Sequence, residues 1–189
     1  AAGIIPQGPK AALADYVARC GGLGGLTAAI AAVCGLDGLE DPEIIEREAL
    51  SPPAIDAAAW RRAAVTLSLR NGVTDTAHGG LCAQVAEAAA LGESLPDVVR
   101  ALFFTKEGEP RKKLSSKGVD EAVAAWLITE QARVQEALTR AKSARVAQDT
   151  VMVLALAAVY AREYEAAKTA RRALDFADLV ERTRDLVAQ

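Results

Sequence analysis

The chain has 189 residues, 51% of them hydrophobic and 4% aromatic, with 25 acidic against 22 basic residues and a net charge of −3. That is enough apolar material for one cored domain, and Ala and Leu, the best helix formers, supply most of it. The balance argues against a dedicated basic nucleic-acid module, and three cysteines without C-x-x-C spacing argue against a disulfide or zinc scaffold.

In chain order, helical apolar spacing runs between turn-rich marks at 21–25, 35–42, 51–53, 71–80, 92–96 and 107–118. Leu13, Tyr16 and Val17 predict a first helix. Leu26, Ile30 and Val33 predict a second, closed by Gly35. Asp41-Pro42 reads as an N-cap with Pro at the first helical position, and Ile44, Ile45 and Glu48 give one or two turns. Ser51-Pro52 repeats that signal before Ile55, Ala59, Trp60, Ala63, Leu67 and Leu69, with a stop at Asn71-Gly72. Thr74 or Thr76 caps the next helix, through Leu81, Val85, Ala88 and Leu91, and Pro96 opens a short one with Val98, Val99 and Leu102.

Phe103-Phe104-Thr105 is β-prone, and Glu107-Gly108-Glu109-Pro110 is turn chemistry, so residues 103–118 read as a small hairpin or an exposed loop. From Val119 one stripe holds Val123, Trp126, Leu127, Val134, Leu138 and Ala141. Another holds Val146, Thr150, Val153, Leu154, Ala157, Tyr160 and Tyr164. No Gly or Pro follows Val119. The stripes lie on one helix of about 50 residues, roughly 75 Å long, or on two with a break near Ser143; a bend or break there is the expectation. With Asp175 as N-cap, Asp178 falls at N3 and Leu174 and Leu179 at N′ and N4, which predicts a capping box with a hydrophobic staple.

Charge is uneven: residues 1–100 carry 7 basic and 12 acidic residues, residues 101–189 carry 15 and 13. Lys106, Arg111, Lys112, Lys113 and Lys117 against Glu107 and Glu109 give a local +3 beside Phe103 and Phe104. Such a group can hold a DNA backbone and stack a base; the alternative is a solvated loop anchored by its two Phe. A second basic set, Arg133, Arg140, Lys142, Arg145, Arg162, Lys168, Arg171 and Arg172, is offset by Glu136, Asp149, Glu163 and Glu165 and reads as a solvated face with i,i+4 pairs. Trp60 and Trp126 fall on apolar stripes and read as core. His78 and Cys82 share a helix face, but two ligands make no metal site. Cys20, Cys34 and Cys82 read as buried thiols, and their odd number fits a reducing, cytoplasmic setting. The apolar runs are broken by charge, so no membrane span is expected, nor is a signal peptide. The start at Ala1-Ala2-Gly3, without Met, suggests an excised piece.

The run Tyr164-Glu165-Ala166-Ala167-Lys168, then Ala173-Leu174-Asp175-Phe176-Ala177-Asp178-Leu179-Val180, resembles the Tyr-x-x-x-Lys…Leu-Asp-Phe-Asp-Asp-Leu segment of UvrD/Rep-type DNA helicases, found shortly upstream of their Walker B motif. Leu102-Phe103-Phe104-Thr105-Lys106-Glu107-Gly108-Glu109-Pro110-Arg111-Lys112 is similar to the Phe-Leu-Thr…Gly-Glu-Pro-Arg stretch of AddA subunits of bacterial AddAB helicase–nucleases, and residues 130–146 to their long helix. The likeness covers 98–187; residues 1–97 agree in character only. It implies an ATP-driven helicase with a C-terminal nuclease domain acting on broken DNA ends, of which this chain would be the helical 1B insertion of the first motor domain. Where that family carries an acid this chain has Ala177, so a role needing three carboxylates does not carry over, whereas capping by Asp175 and Asp178 does. No G-x-x-x-x-G-K-[ST] occurs, and the glycine run from Gly21 to Thr27 lacks a lysine. ATP and Mg²⁺ therefore belong to the parent, and the chain is expected to carry no catalytic, metal or cofactor residues of its own.

The expected fold is all-α: one domain over 1–189, with 1–97 and 98–189 as a subdivision, forming an elongated helical bundle with long C-terminal helices and a small loop or hairpin near 103–117. The expected role is to contact duplex DNA ends with single-stranded tails through Lys106, Arg111, Lys112, Lys113 and Lys117 and to support the motor. The alternative is a scaffold against an AddB-like subunit or the parent's other domains. Lys112→Glu with Lys113→Glu separates the two, since only the first loses DNA binding.

Overall fold

A computed structural model describes residue 19 and residues 21–70 and 72–187. The first predicted helix (Leu13, Tyr16, Val17) and Cys20 lie outside the described residues. The described chain is all-α: α1 (Gly22–Val33), α2 (Pro42–Ala49), α3 (Ala57–Ser68), α4 (Val73–Ala90), α5 (Pro96–Phe103), α6 (Glu121–Arg171) and α7 (Phe176–Val187). It divides into two compact units, residues 40–145 and residues 1–39 with 146–189.

In the 40–145 unit, local chemistry sets most helix starts. Asp41 accepts the N–H groups of Glu43 (2.9 Å) and Ile44 (3.4 Å), with Pro42 at N1. α3 does not start at Ser51-Pro52 as its cap signal predicts. Asp56 caps it instead, through Ala58 N (2.9 Å) and Ala59 N (3.2 Å), because Pro53 disfavours helical backbone at Pro52. α4 has neither Thr74 nor Thr76 as cap; Gly72 stands there with no side-chain bond, and the Thr76 hydroxyl donates to Arg70 O (3.2 Å).

Gly79 and Gly80, at the end of the turn-rich mark 71–80, lie inside α4. A Cβ on Gly79 would stand 2.6 Å from Ser68 Oγ, 3.1 Å from Ser68 N and 3.2 Å from Ala64 O, so the glycine is what lets α3 and α4 approach this closely. Around that crossing, Trp60, Leu67, Cys82, Val99, Leu102, Phe103, Leu127 and Val134 are buried. Trp60 meets Phe103 and Trp126 edge-on, at 5.7 and 5.5 Å between centroids, a favoured aromatic geometry.

In the second unit, α1 begins within the glycine run and ends at Gly35 in the left-handed region (φ 73°). Gly35 N–H donates to Ala32 O (3.0 Å) and Leu36 N–H to Ala31 O (2.9 Å), a Schellman closure. Its buried face is Leu26, Ile30 and Ala31; Val33, predicted on that face, is exposed.

α6 is one uninterrupted helix of 51 residues, so the break expected near Ser143 does not occur. Nothing in the sequence stops it there: no Gly or Pro is present, and Ala141, Ala144 and Ala147 are buried. An 18-residue window of α6 has mean hydropathy 1.3 and is only 11% buried. By length and composition alone this helix is long and apolar enough to cross a membrane. The charge-free run from Thr150 to Ala161 spans only about 18 Å, short of the roughly 30 Å hydrocarbon core. The second predicted stripe is largely uncovered: Val146, Val153 and Tyr160 are exposed, as are Met152 and Leu156 on the same helix.

α6 ends without glycine. Arg172 takes the left-handed position (φ 54°), Arg172 N–H donates to Thr169 O (3.1 Å) and Ala173 N–H to Lys168 O (3.0 Å). A side chain in that conformation costs about 1–2 kcal/mol. Arg172→Gly is therefore expected to raise stability by up to about 1 kcal/mol, read from the urea midpoint.

Candidate nucleic-acid interface

The basic loop is a hairpin-like excursion between α5 and α6. Phe104 leaves α5 extended and pairs antiparallel with Pro110. Thr105 N–H donates to Glu109 O and Arg111 N–H to Phe103 O, both at 2.8 Å. Gly108 makes the turn at φ 83°, its N–H donating to Thr105 O (3.0 Å).

Several groups of the 40–145 unit staple this loop down. Gln131 Nε2 on α6 donates to Phe103 O (2.8 Å) and Arg111 O (3.1 Å). Farther on, His78 Nδ1 lies 2.7 Å from Leu114 O, where its N–H donates, and Arg70 Nη2 donates to Lys117 O (3.3 Å). Fully buried Asp75 accepts Ser116 N–H (2.8 Å) and the Ser116 hydroxyl.

The Ser116 hydrogen bonds hold the Asp75 carboxyl below its ordinary range. A depressed folded-state value means this stabilisation is complete above the unfolded value of about 3.9. It is lost as pH falls through the lower folded value. Asp75→Ala, which leaves the Ser116 N–H without its acceptor, is expected to cost about 1–3 kcal/mol at neutral pH. The difference from the unsubstituted chain should shrink in urea unfolding at acid pH.

Phe103 and Phe104 are buried, so they anchor the loop and are not a stacking platform on its surface. The five predicted cations separate. Lys106 and Arg111 line a cleft of about 570 Å³ together with Arg100, Lys142 and Arg145, over Pro42, Phe104, Leu138 and Ala141. Lys112, Lys113 and Lys117 are exposed but do not line it. Arg100 pairs with Glu46, the one carboxylate in the lining, and lies 3.9 Å from Asp97. Arg111 Nε donates to Ala101 O (3.2 Å), which fixes the side chain against the end of α5. Among the described residues, Lys106, Lys142 and Arg145 have no carboxylate at ion-pair distance.

Much of the second basic set is engaged elsewhere, and not mainly in i,i+4 pairs. Arg133 makes two bonds to buried Glu130 (2.8 and 2.7 Å) and a third to Ala49 O (2.9 Å), tying α2 to α6. Arg140 chelates Glu40, with Nε at 2.8 Å. Arg162 pairs with its neighbour Glu163.

Tyr164, Lys168, Asp175 and Asp178 meet at the turn from α6 to α7. Asp175 Oδ1 accepts Asp178 N–H (3.0 Å), and Asp178 Oδ2 accepts Asp175 N–H (2.8 Å), a reciprocal capping box. Lys168 Nζ lies 2.7 and 2.6 Å from the Asp178 oxygens, 3.3 Å from Asp175 and 3.1 Å from Glu165. Tyr164 Oη donates to Asp175 (3.2 Å), and its ring lies 5.3 Å from Nζ. Burial alone would lower the Lys168 pKa, but the hydrogen bonds to Asp178, Glu165 and Asp175 more than offset it and hold the ammonium well above the usual lysine value. In turn the Lys168 hydrogen bond holds Asp178 low. Leu174 and Leu179, the predicted staple, are about half exposed, and Phe176 is 81% exposed.

Cys82 is fully buried, and that burial pushes its thiol up to about 12, which makes it unreactive. No group of three or more metal-ligating side chains occurs among the described residues. No protein-family model matches the chain, and comparison with curated proteins and with solved structures returns no match.

Proposed function

We propose that this chain is a DNA-contacting helical domain, the accessory 1B-type insertion of an AddA-like helicase–nuclease. It holds DNA ends that carry single-stranded tails and leaves ATP, Mg²⁺ and the chemistry to the rest of the parent. The observation that supports this most is the convergence of Arg100, Lys106, Arg111, Lys142 and Arg145 on one cleft with a single carboxylate. Of these, Lys106, Lys142 and Arg145 have no carboxylate at ion-pair distance among the described residues, and such cations around a concave surface attract phosphates, whose counterions are released on binding.

A titration against a fluorescent tailed duplex tests the proposal. Affinity should fall at least about tenfold between roughly 50 and 200 mM salt, and Lys112→Glu with Lys113→Glu should weaken it further. No binding at micromolar protein sinks the reading.

A scaffold role has its own support in residues 146–189. Met152, Val153, Leu156, Val159 and Tyr160 form an exposed apolar stripe on α6, and Phe176, Leu186 and Val187 are exposed on α7. Apolar surface of this kind marks contact with another protein or with further parts of a parent chain.

A further inference from the structure

We propose that the cleft over Pro42, Phe104, Leu138 and Ala141 seats one unpaired nucleotide of the DNA tail, its base on the apolar floor and its phosphate at the cationic rim; this rests on the DNA-binding reading above. The rim cations come from separate elements: Arg100 from α5, Lys106 and Arg111 from the hairpin, Lys142 and Arg145 from α6. They share that rim with Glu46, which is already paired to Arg100. The floor is apolar, since Pro42, Phe104, Leu138 and Ala141 all line the cleft, Leu138 the least buried of them.

Phosphate alone needs the rim but has no use for the floor. A duplex can offer phosphates to the rim, but its stacked and paired bases cannot reach into a cleft. An unpaired nucleotide satisfies both halves at once. The volume of about 570 Å³ falls in the range of small-molecule sites, about 300–1,000 Å³. The hairpin wall is also held in place before any ligand arrives, by Gln131 on Phe103 O and Arg111 O, so binding spends little on ordering it.

The test compares three probes by fluorescence anisotropy on the full chain: a short oligothymidylate, the same oligonucleotide with abasic sites, and a blunt duplex of equal charge. The intact single strand should bind about tenfold more tightly than the abasic one, because only the base buries apolar surface against the floor. Leu138→Ala, with its fold checked by circular dichroism, should remove most of that difference and leave abasic binding unchanged. Equal binding of intact and abasic strands, with salt dependence retained, overturns the nucleotide seat and leaves the phosphate-contact reading intact. No binding of any probe overturns both. Because the comparison of intact and abasic strands uses the unaltered protein, it stands even if Leu138→Ala fails to fold.

Discussion

Replacing Trp60 with alanine should lower the unfolding free energy by about 3–5 kcal/mol, the usual loss when a large buried aromatic is truncated. The indole is fully buried and joins α3 to two other elements, through Phe103 at the end of α5 and Trp126 on α6. The cavity would open between Phe103 and Trp126 in a close-packed core that leaves little room for collapse. Phe103 also fixes the start of the hairpin, so the same substitution should loosen the wall that carries Lys106 and Arg111. Urea unfolding gives the first effect, and hydrogen exchange at the Thr105, Gly108 and Arg111 amides gives the second. A change under about 1 kcal/mol would contradict the packing described for this core.

Reversing two rim charges, Lys142→Glu with Arg145→Glu, should reduce affinity for a tailed duplex by at least about tenfold at low salt and flatten the logarithmic salt dependence by about two units. Both side chains are exposed, and neither is in an ion pair among the described residues, so the folded state has little to lose. Anisotropy titrations across a salt series read both quantities. Arg133→Gln is the contrasting case. Its guanidinium is spent on Glu130 and Ala49 O, so the cost should appear as stability, with binding altered far less.

Features encoded within a few residues were legible in the sequence. Asp41-Pro42, Gly35 and the Asp175/Asp178 box each place a polar group or a left-handed backbone where neighbouring N–H and C=O groups require one, and the structure contains those bonds. The hairpin at 103–111 was legible as one of two forms, for the same reason. Errors arose where a distant partner overruled local chemistry. Gly79 looked like a break because nothing nearby reveals that Ala64 and Ser68 press against it. Phe103 and Phe104 stand next to lysines in sequence, which left open either stacking on DNA or anchoring of the loop, and their burial in the core selects the anchor. The cleft is the clearest instance. Lys106 and Arg111 were visible as a basic loop, but Arg100, Lys142 and Arg145 join them only once α5 and α6 have packed. Arg133 and Arg140 looked equivalent to Lys142 and Arg145, and only their pairing with Glu130 and Glu40 separates them.

The lysine at the α6–α7 turn carries a chemical consequence. An amine attacks electrophiles through its unprotonated form, and Lys168 gives up its proton less readily than an ordinary lysine because carboxylates surround it. Its burial also blocks approach. Acylating reagents at neutral pH should therefore modify Lys106, Lys112, Lys113 and Lys142 well before Lys168. Late acylation of Lys168 would report that the helical turn itself has opened.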